Sequence, residues 1–195
     1  MTVIISERGF TFVELLSTLV PALIVLGAVT STLIIQNKSY EQQAQIVEMQ
    51  ENVRAGMEMM TKELVMAGYD PSGTSGARIV SAGPSVIRFT MDLDGDGNVS
   101  DSNEDVTYAL DTTDKQLTRK CTAADTATPL AENIQGLFFT YYDSNNSTTS
   151  DVGKIRRITI QVSARTRKAD PNYLVNNGYR TRTLTSDVSP RNLGL

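Results

Sequence analysis

The sequence has no histidine and no tryptophan, and Cys121 is its single cysteine. Without histidine, the chain cannot form a Ser-His-Asp or Cys-His nucleophile pair or a His-ligated zinc site. One cysteine cannot build a four-cysteine metal cluster or an internal disulfide. It is predicted to be a small loop residue, with a disulfide to another chain as the alternative. We therefore expect no enzyme, although carboxylate-only or lysine-based chemistry stays open.

The 195 residues carry 18 basic and 22 acidic side chains, which gives a net charge of −4. A chain of this length forms one domain, or one domain with an appendage. A mildly acidic chain does not coat nucleic acid as a whole.

A run of 21 residues, from Leu15 to Ile35, contains no charged side chain. As a helix it would be about 30 Å long, which matches the hydrocarbon core of a bilayer. The segment therefore belongs in a membrane or in another apolar assembly.

The chain becomes polar after Ile35, and apolar residues then recur at helical spacing. These residues are Ile46, Met49, Val53, Met57, Met60 and Leu64. No proline lies between residues 22 and 70, Gly68 suits the position after a helix, and Pro71 follows. The pattern predicts one helix over about residues 10–67, apolar all round in its first half and amphipathic in its second.

The remaining residues have strand patterns separated by turn-forming residues. Strands are predicted over 86–91, 106–110, 137–142, 157–165 and 180–186, with Ile87, Phe89, Met91 and Leu93 on one side of the first. Antiparallel strands after one long helix predict an α+β fold, in which the amphipathic half of the helix packs on an antiparallel β-sheet.

Residues 8–16, Arg-Gly-Phe-Thr-Phe-Val-Glu-Leu-Leu, resemble the processing site of type IV prepilins. The resemblance implies that a prepilin peptidase cuts between Gly9 and Phe10 and methylates the new amino terminus. It also implies that Glu14 meets the N-terminal amine of a neighbouring subunit in the fibre core. Such a pair would select the axial register more than it adds net stability. The alternative is an acid that favours the dipole at the start of the helix.

The likeness continues at residues 52–71 and 189–195, which are similar to PilW-type minor pilins. It implies a type IV pilin-like fold with four segments. These are a cleaved leader (1–9), a transmembrane or fibre-core helix (10–35), an amphipathic helix half (36–68) and a β-rich globular head (69–195).

The implied function is that of a minor pilin, which supports the assembly or initiation of a type IV pilus. Before assembly it would cross the bacterial inner membrane once, with its head in the periplasm, and afterwards it would lie in the pilus at the cell surface. The implied partners are the prepilin peptidase, other major and minor pilins, the inner-membrane assembly platform and membrane lipid.

Two alternatives stay open. The first is a J-type minor pseudopilin of type II secretion, a structurally related protein whose apolar helix would act in the same way. The second is a membrane-anchored calcium-binding or calcium-dependent enzyme domain with an ordinary signal anchor. Glu14 inside the apolar run and the lack of a clear A-x-A cleavage site count against the second.

Two features depart from the usual prepilin pattern. Arg8 is the only basic residue of the leader and stands beside Glu7, so the positive-inside signal is weak. Pro21 lacks the N–H group that would bond to the Ser17 carbonyl. The proline therefore predicts either a kink in the helix or a continuous helix in which the hydroxyl of Ser17 or Thr18 replaces the missing hydrogen bond.

Residues 92–104, Asp-Leu-Asp-Gly-Asp-Gly-Asn-Val-Ser-Asp-Ser-Asn-Glu, resemble an EF-hand-type calcium loop. The acid expected at the last loop position comes one residue late, at Glu104. Strands flank the loop, so no EF-hand domain is implied, and the alternative is a solvated acidic turn. The candidate ligands are Asp92, Asp94, Asp96, Asn98, Asp101 and Glu104, and calcium is the one cofactor considered.

Charge is unevenly distributed along the chain. Residues 69–151 hold 13 acidic and 5 basic side chains, whereas residues 152–195 hold 2 acidic and 9 basic ones. We interpret this as basic C-terminal strands pairing against acidic ones, with a face for DNA or another subunit as the alternative. No aromatic residues interleave tightly with the arginines, which disfavours single-stranded DNA.

Overall fold

The computed structural model describes residues 9–194, so the leader before Gly9 lies outside the described residues. The chain divides into two units, one that ends at Ala44 and one that begins at Gln45. A 55-residue helix, α1 (Phe12–Met66), contributes to both. The predicted long helix is therefore confirmed.

Within the described residues, eight strands follow α1. They are β1 (Ile79–Ala82), β2 (Val86–Thr90), β3 (Asp105–Asp111), β4 (Gln116–Lys120), β5 (Thr128–Ala131), β6 (Ile134–Tyr142), β7 (Arg157–Arg165) and β8 (Thr181–Val188). Short 3-10 turns lie at Val152–Lys154 and Asn176–Gly178.

The strands form two antiparallel sheets where the sequence predicted one. The first sheet has the order β1-β2-β3-β4-β5, and the second has the order β6-β7-β8. The α+β fold, with a long helix packed on antiparallel strands, is confirmed. Strands β1, β4 and β5 were not predicted.

The apolar stripe of α1 lies in the core as predicted. Five of its six members are buried and Ile46 is partly buried against them. The buried members are Met49, Val53, Met57, Met60 and Leu64. They pack with side chains from both sheets, among them Phe89, Tyr108 and Ile160, so the second half of the helix holds the two sheets around one core.

Gly68 ends the helix, as its position in the sequence predicted. Its φ of +78° lies in the left-handed region, and its N–H donates to the Thr90 carbonyl at 2.9 Å. A Cβ atom at this position would lie 2.6 Å from Leu193 Cδ2. Glycine is therefore favoured here by the backbone conformation, and a larger residue would also have to displace the Leu193 side chain.

Helix α1 continues through Pro21 without a break. Ser17 Oγ donates to the Glu14 carbonyl at 2.9 Å, and Thr18 Oγ1 donates to the Glu14 and Leu15 carbonyls. These hydroxyls do not bond to the Ser17 carbonyl, which is the group that Pro21 deprives of its usual donor. The Ser17 and Thr18 hydroxyls therefore bond to the Glu14 and Leu15 carbonyls, and not to the carbonyl that Pro21 leaves without a donor.

One predicted core residue is on the surface. Met91 is buried, but β2 ends at Thr90 and Leu93 is exposed. The prediction for Leu93 was wrong because the strand alternation stops before the acidic loop begins.

Candidate functional site

The predicted cleavage site lies just before the helix. Residues 9–11 have no regular secondary structure and are exposed, and α1 begins at Phe12. Among the described residues, a Cβ atom built on Gly9 would meet no other atom within 4 Å. The peptide bond between Gly9 and Phe10 is thus open to a protease, and a larger residue at position 9 would disturb no contact.

Thr11 and Glu14 form a reciprocal cap at the start of α1. Glu14 Oε2 accepts from the Thr11 backbone N–H at 3.0 Å and from Thr11 Oγ1 at 2.9 Å. In return, the Glu14 N–H donates to Thr11 Oγ1 at 3.2 Å. This is the capping box that a Thr-x-x-Glu pattern predicts, and that pattern would have identified Thr11 from the sequence.

The apolar half of α1 buries none of its large side chains. Between Phe10 and Ile35, every large apolar side chain is exposed, from 43% at Leu16 to 84% at Phe10. By length and composition this helix is able to cross a membrane.

The acidic loop connects β2 to β3, and Asp92 at its start is buried. Asp92 Oδ1 accepts from the Gly95 N–H at 2.7 Å, and Oδ2 accepts from the Gly97 N–H at 3.1 Å and from Ser72 Oγ at 3.2 Å. Gly95 and Gly97 have φ values of +79° and +83°, which let the backbone turn its N–H groups toward this carboxylate.

Glu104 ends the loop and is only 2% exposed. Its Oε1 accepts from the Leu93 N–H at 2.7 Å, whereas its Oε2 is buried without a hydrogen-bond partner among the described residues. One carboxylate oxygen each from Asp92, Asp94 and Glu104 lies within 4.8 Å of the other two. The structure thus brings the two ends of the loop together.

The other predicted ligands lie on the exposed side of the loop. Asp94, Asp96 and Asp101 form a second group with oxygens within 4.8 Å of one another. Asp96 Oδ1 accepts from the Asn98 N–H at 2.7 Å, and Asn98 Oδ1 accepts from the Ser100 N–H at 3.0 Å. Asn98 therefore uses its side chain within a local turn.

A buried polar cluster that the sequence did not reveal joins α1 to the first sheet. Arg119 on β4 binds both carboxylate oxygens of Glu63, at 3.0 and 2.9 Å, and Tyr108 donates to Glu63 Oε2 at 2.5 Å. Burial, together with the Glu63 carboxylate, raises the pKa of Tyr108. Burial alone would lower the pKa of Arg119, but the hydrogen bond and charge of Glu63 outweigh it and raise that pKa. In the sequence, the only hint of this cluster is an acidic residue at position 63, directly before the buried Leu64 of the helix stripe.

The chain matches the model of one protein family over most of its length. The model of the family described as PpdB, prepilin peptidase-dependent protein B, matches residues 42–188. The chain belongs to this family. The predicted prepilin-type protein is thereby confirmed, and membership favours a structural role over an enzymatic one. The matched region starts after residues 9–14, so the roles of Gly9, Phe10 and Glu14 stay predictions.

Among solved structures, this PpdB-family chain is similar to the type IV-like pilin TTHA1219 from Thermus thermophilus. The two share 11% sequence identity with a TM-score of 0.48, and the match covers 73% of this chain and 97% of that chain. No curated protein sequence matches the chain.

The predicted pairing of basic C-terminal strands with acidic ones was wrong. In the described part of the chain, Arg157 and Arg180 form their ion pairs with Asp187 and Asp170, the two acids of their own segment. Strand β7 is flanked by β6, which carries no charged residue, and by β8. Among the described residues, the one ion pair between the two segments joins Lys154 to Asp151, three residues away in the chain, so charge complementarity does not pair basic strands with acidic ones.

The fold brings tyrosines onto three of the basic arginines, a contact that the spacing in the sequence did not reveal. The guanidinium groups of Arg157, Arg165 and Arg180 lie over the rings of Tyr142, Tyr179 and Tyr173, at 3.8, 4.2 and 4.8 Å from the ring centroids. These arginines already cover one ring face each, so that face is not open for stacking a base.

Proposed function

We propose that the chain is a minor pilin, cut after Gly9 and carried into a type IV pilus by its apolar helix. The observation that carries the proposal is the unburied apolar half of α1 in a member of a prepilin peptidase-dependent family. At roughly 25 cal/mol per Å² of apolar surface, exposing fifteen large side chains to water is prohibitive. The segment therefore needs lipid first and sister helices afterwards.

Processing is the first step of the proposal. The peptidase would release the leader at the exposed Gly9–Phe10 bond and methylate the new terminal amine of Phe10. The helix would then anchor the chain in the inner membrane, with the head in the periplasm, until the assembly platform extracts it. Other pilins and membrane lipid are its successive partners.

The substitution Gly9→Val tests this step without disturbing the fold, because a side chain at position 9 has open space around it. We expect the uncut precursor to accumulate in membranes of cells with an active peptidase, as measured by intact mass. Normal removal of the leader from Gly9→Val would contradict cleavage at this bond.

Assembly into the fibre is the second step of the proposal, and it depends on Glu14. Within one chain it caps its own helix, and in the fibre we propose that its charge meets the Phe10 amine of a neighbour. A carboxylate in an apolar core is costly unless it finds a partner. Capping and pairing make different demands, because a glutamine can still cap whereas it cannot supply a charge.

A pair of variants separates the two roles. Glu14→Gln keeps an acceptor for Thr11 but removes the charge, and Thr11→Ala removes the cap hydroxyl but keeps the charge. We expect both to be cut, Glu14→Gln to enter sheared fibres at least tenfold less than the unaltered chain, and Thr11→Ala to enter them normally. The reverse order would show that the cap, not the charge, governs assembly.

The pseudopilin alternative has the same geometry and differs in the assembly that the chain joins. Deleting the gene would reduce surface fibres if the chain is a minor pilin, and would block exoprotein secretion with fibres intact if it is a minor pseudopilin. Counting fibres and assaying secretion in the same strain decides between them.

A further inference from the structure

Five carboxylates crowd the connection between β2 and β3 without a cationic partner. They belong to Asp92, Asp94, Asp96, Asp101 and Glu104. Six ion pairs occur in the described part of the chain, and none includes any of these acids. Such a cluster is also found in solvated turns, so crowding alone does not define a site.

Glu104 supplies the independent observation. Its side chain is almost fully buried, it shares a group with Asp92 and Asp94, and its Oε2 has no donor within the described residues. A buried carboxylate oxygen without a donor is costly. A cation held jointly by Glu104, Asp92 and Asp94 would satisfy this oxygen and offset the repulsion among the three carboxylates.

We propose that Asp92, Asp94 and Glu104 hold one calcium ion that closes the β2–β3 loop, with Asp96 and Asp101 as an outer acidic group. The donors are all oxygens, which suits a hard cation and disfavours zinc. Calcium accepts irregular sets of carboxylates, whereas magnesium demands near-octahedral geometry and keeps much of its water. This assignment is narrower than the six ligands expected from the sequence.

The ion would also fix the loop to the end of α1. The Asp92 N–H donates to the Tyr69 carbonyl at 2.7 Å, and Ser72 Oγ donates to Asp92 Oδ2. At the other end, Asn103 Oδ1 accepts from Arg119 at 3.1 Å. Calcium therefore would order a loop that already contacts the helix terminus and the buried cluster.

Calcium titration of the full-length chain in detergent micelles, after chelator treatment, tests the proposal. We expect one calcium per chain with a dissociation constant of about 10⁻⁴–10⁻³ M, the range of extracellular modules. We also expect a higher Tm with calcium than with chelator, and weaker binding of magnesium. The proposal does not rest on fibre assembly, so its failure would leave the proposed function standing.

Asp94→Asn is the informative variant, because an asparagine oxygen can still accept from the Asp96 N–H as Asp94 Oδ1 does at 3.1 Å. Asp143→Asn is the matched control, since Asp143 Oδ1 likewise accepts from the N–H groups of Asn145 and Ser147, in another loop. We expect Asp94→Asn to weaken calcium binding at least tenfold and Asp143→Asn to leave it unchanged.

Three results would overturn the proposal. One is no binding heat at millimolar calcium in the folded protein. Another is equal calcium affinity in Asp94→Asn, or equal affinity for magnesium. The third is a rise in Tm on Glu104→Gln without any calcium effect in the unaltered chain, because it would show that the loop does not need this carboxylate to hold an ion.

Discussion

The guanidinium group of Arg119 donates to four acceptor atoms on three residues. Besides the two oxygens of Glu63, it donates to Asn103 Oδ1 and to Cys121 Sγ. These contacts join the helix, β4 and the end of the acidic loop around a side chain that is 7% exposed. Removing this guanidinium group leaves the Glu63 carboxylate without its cation.

We predict that Arg119→Met lowers the free energy of unfolding by about 3 kcal/mol, because it strands a largely buried carboxylate. Lys62→Met is the control, since Lys62 forms an exposed pair with Glu58 one turn away on the same helix. That pair should contribute about 0.5 kcal/mol or less. Urea unfolding of both variants measures the difference, and equal losses would contradict the role given to Arg119.

Tyr108 gives the protein a stability limit at alkaline pH. Burial raises the pKa of Tyr108 above its ordinary value, and the same cause raises that of Tyr141. The stability that these groups contribute is therefore fully present below the unfolded pKa of about 10 and is lost as the pH rises above it. Each group adds up to about 1.4 kcal/mol per pH unit to the decline.

We predict that Tyr108→Phe costs about 1 kcal/mol at neutral pH, through the lost hydrogen bond to Glu63, and flattens the decline above pH 10. Tyr141→Phe should flatten it independently, because Tyr141 donates to the Gly83 carbonyl in a different place. Unfolding free energies between pH 8 and 11 provide the test. An unchanged slope in both variants would refute the prediction.

At the scale of secondary-structure elements, the sequence predicted mainly those whose pattern is regular. α1, β2, β3 and β7 show helical or alternating apolar spacing, β6 is rich in aromatic, β-prone residues, and β8 was predicted although its apolar residues do not alternate. The missed strands lack such spacing. β1 has four residues and a register shift, β4 has a polar sequence whose Arg119 is buried by an ion pair, and β5 contains Pro129. Their pairing depends on distant residues, as does the division into two sheets.

The residues of the candidate site also divide into those that a local motif indicates and those that only the folded structure brings together. Local motifs identified Gly9, Glu14 and the acidic loop, because each of these signals lies within a few consecutive residues. The cluster of Glu63, Tyr108 and Arg119 joins positions 45 and 56 residues apart, so no local spacing could reveal it. The orphaned oxygen of Glu104 likewise depends on how the folded loop closes.

The buried stripe of α1 yields a prediction at this scale. Met60 is fully buried and Met59, beside it on the helix, is only partly so. Met60→Ala should lower the unfolding free energy by about 2–4 kcal/mol, through lost burial and the cavity left behind, and Met59→Ala by clearly less. Similar losses from both, in thermal or urea unfolding, would contradict the proposed helix face.

At the scale of the whole molecule, two kinds of surface are joined in one chain. Residues from Gln45 onward form a unit with its own core, in which most of the large apolar side chains are buried. In the other unit, the described residues from Phe10 to Ile35 leave every large apolar side chain exposed. This contrast is what a subunit that passes from lipid to a helical fibre core requires, because the same apolar surface suits both surroundings.

Mass spectrometry of fibres sheared from cells tests the central proposal most directly. We predict that the purified fibre contains this chain and that its N-terminal peptide begins at an N-methylated Phe10. A chain that never occurs in fibres and keeps its leader, in cells with an active prepilin peptidase, would contradict the account. A mature terminus near Ser31 would contradict it as well, since it would indicate an ordinary secretory signal.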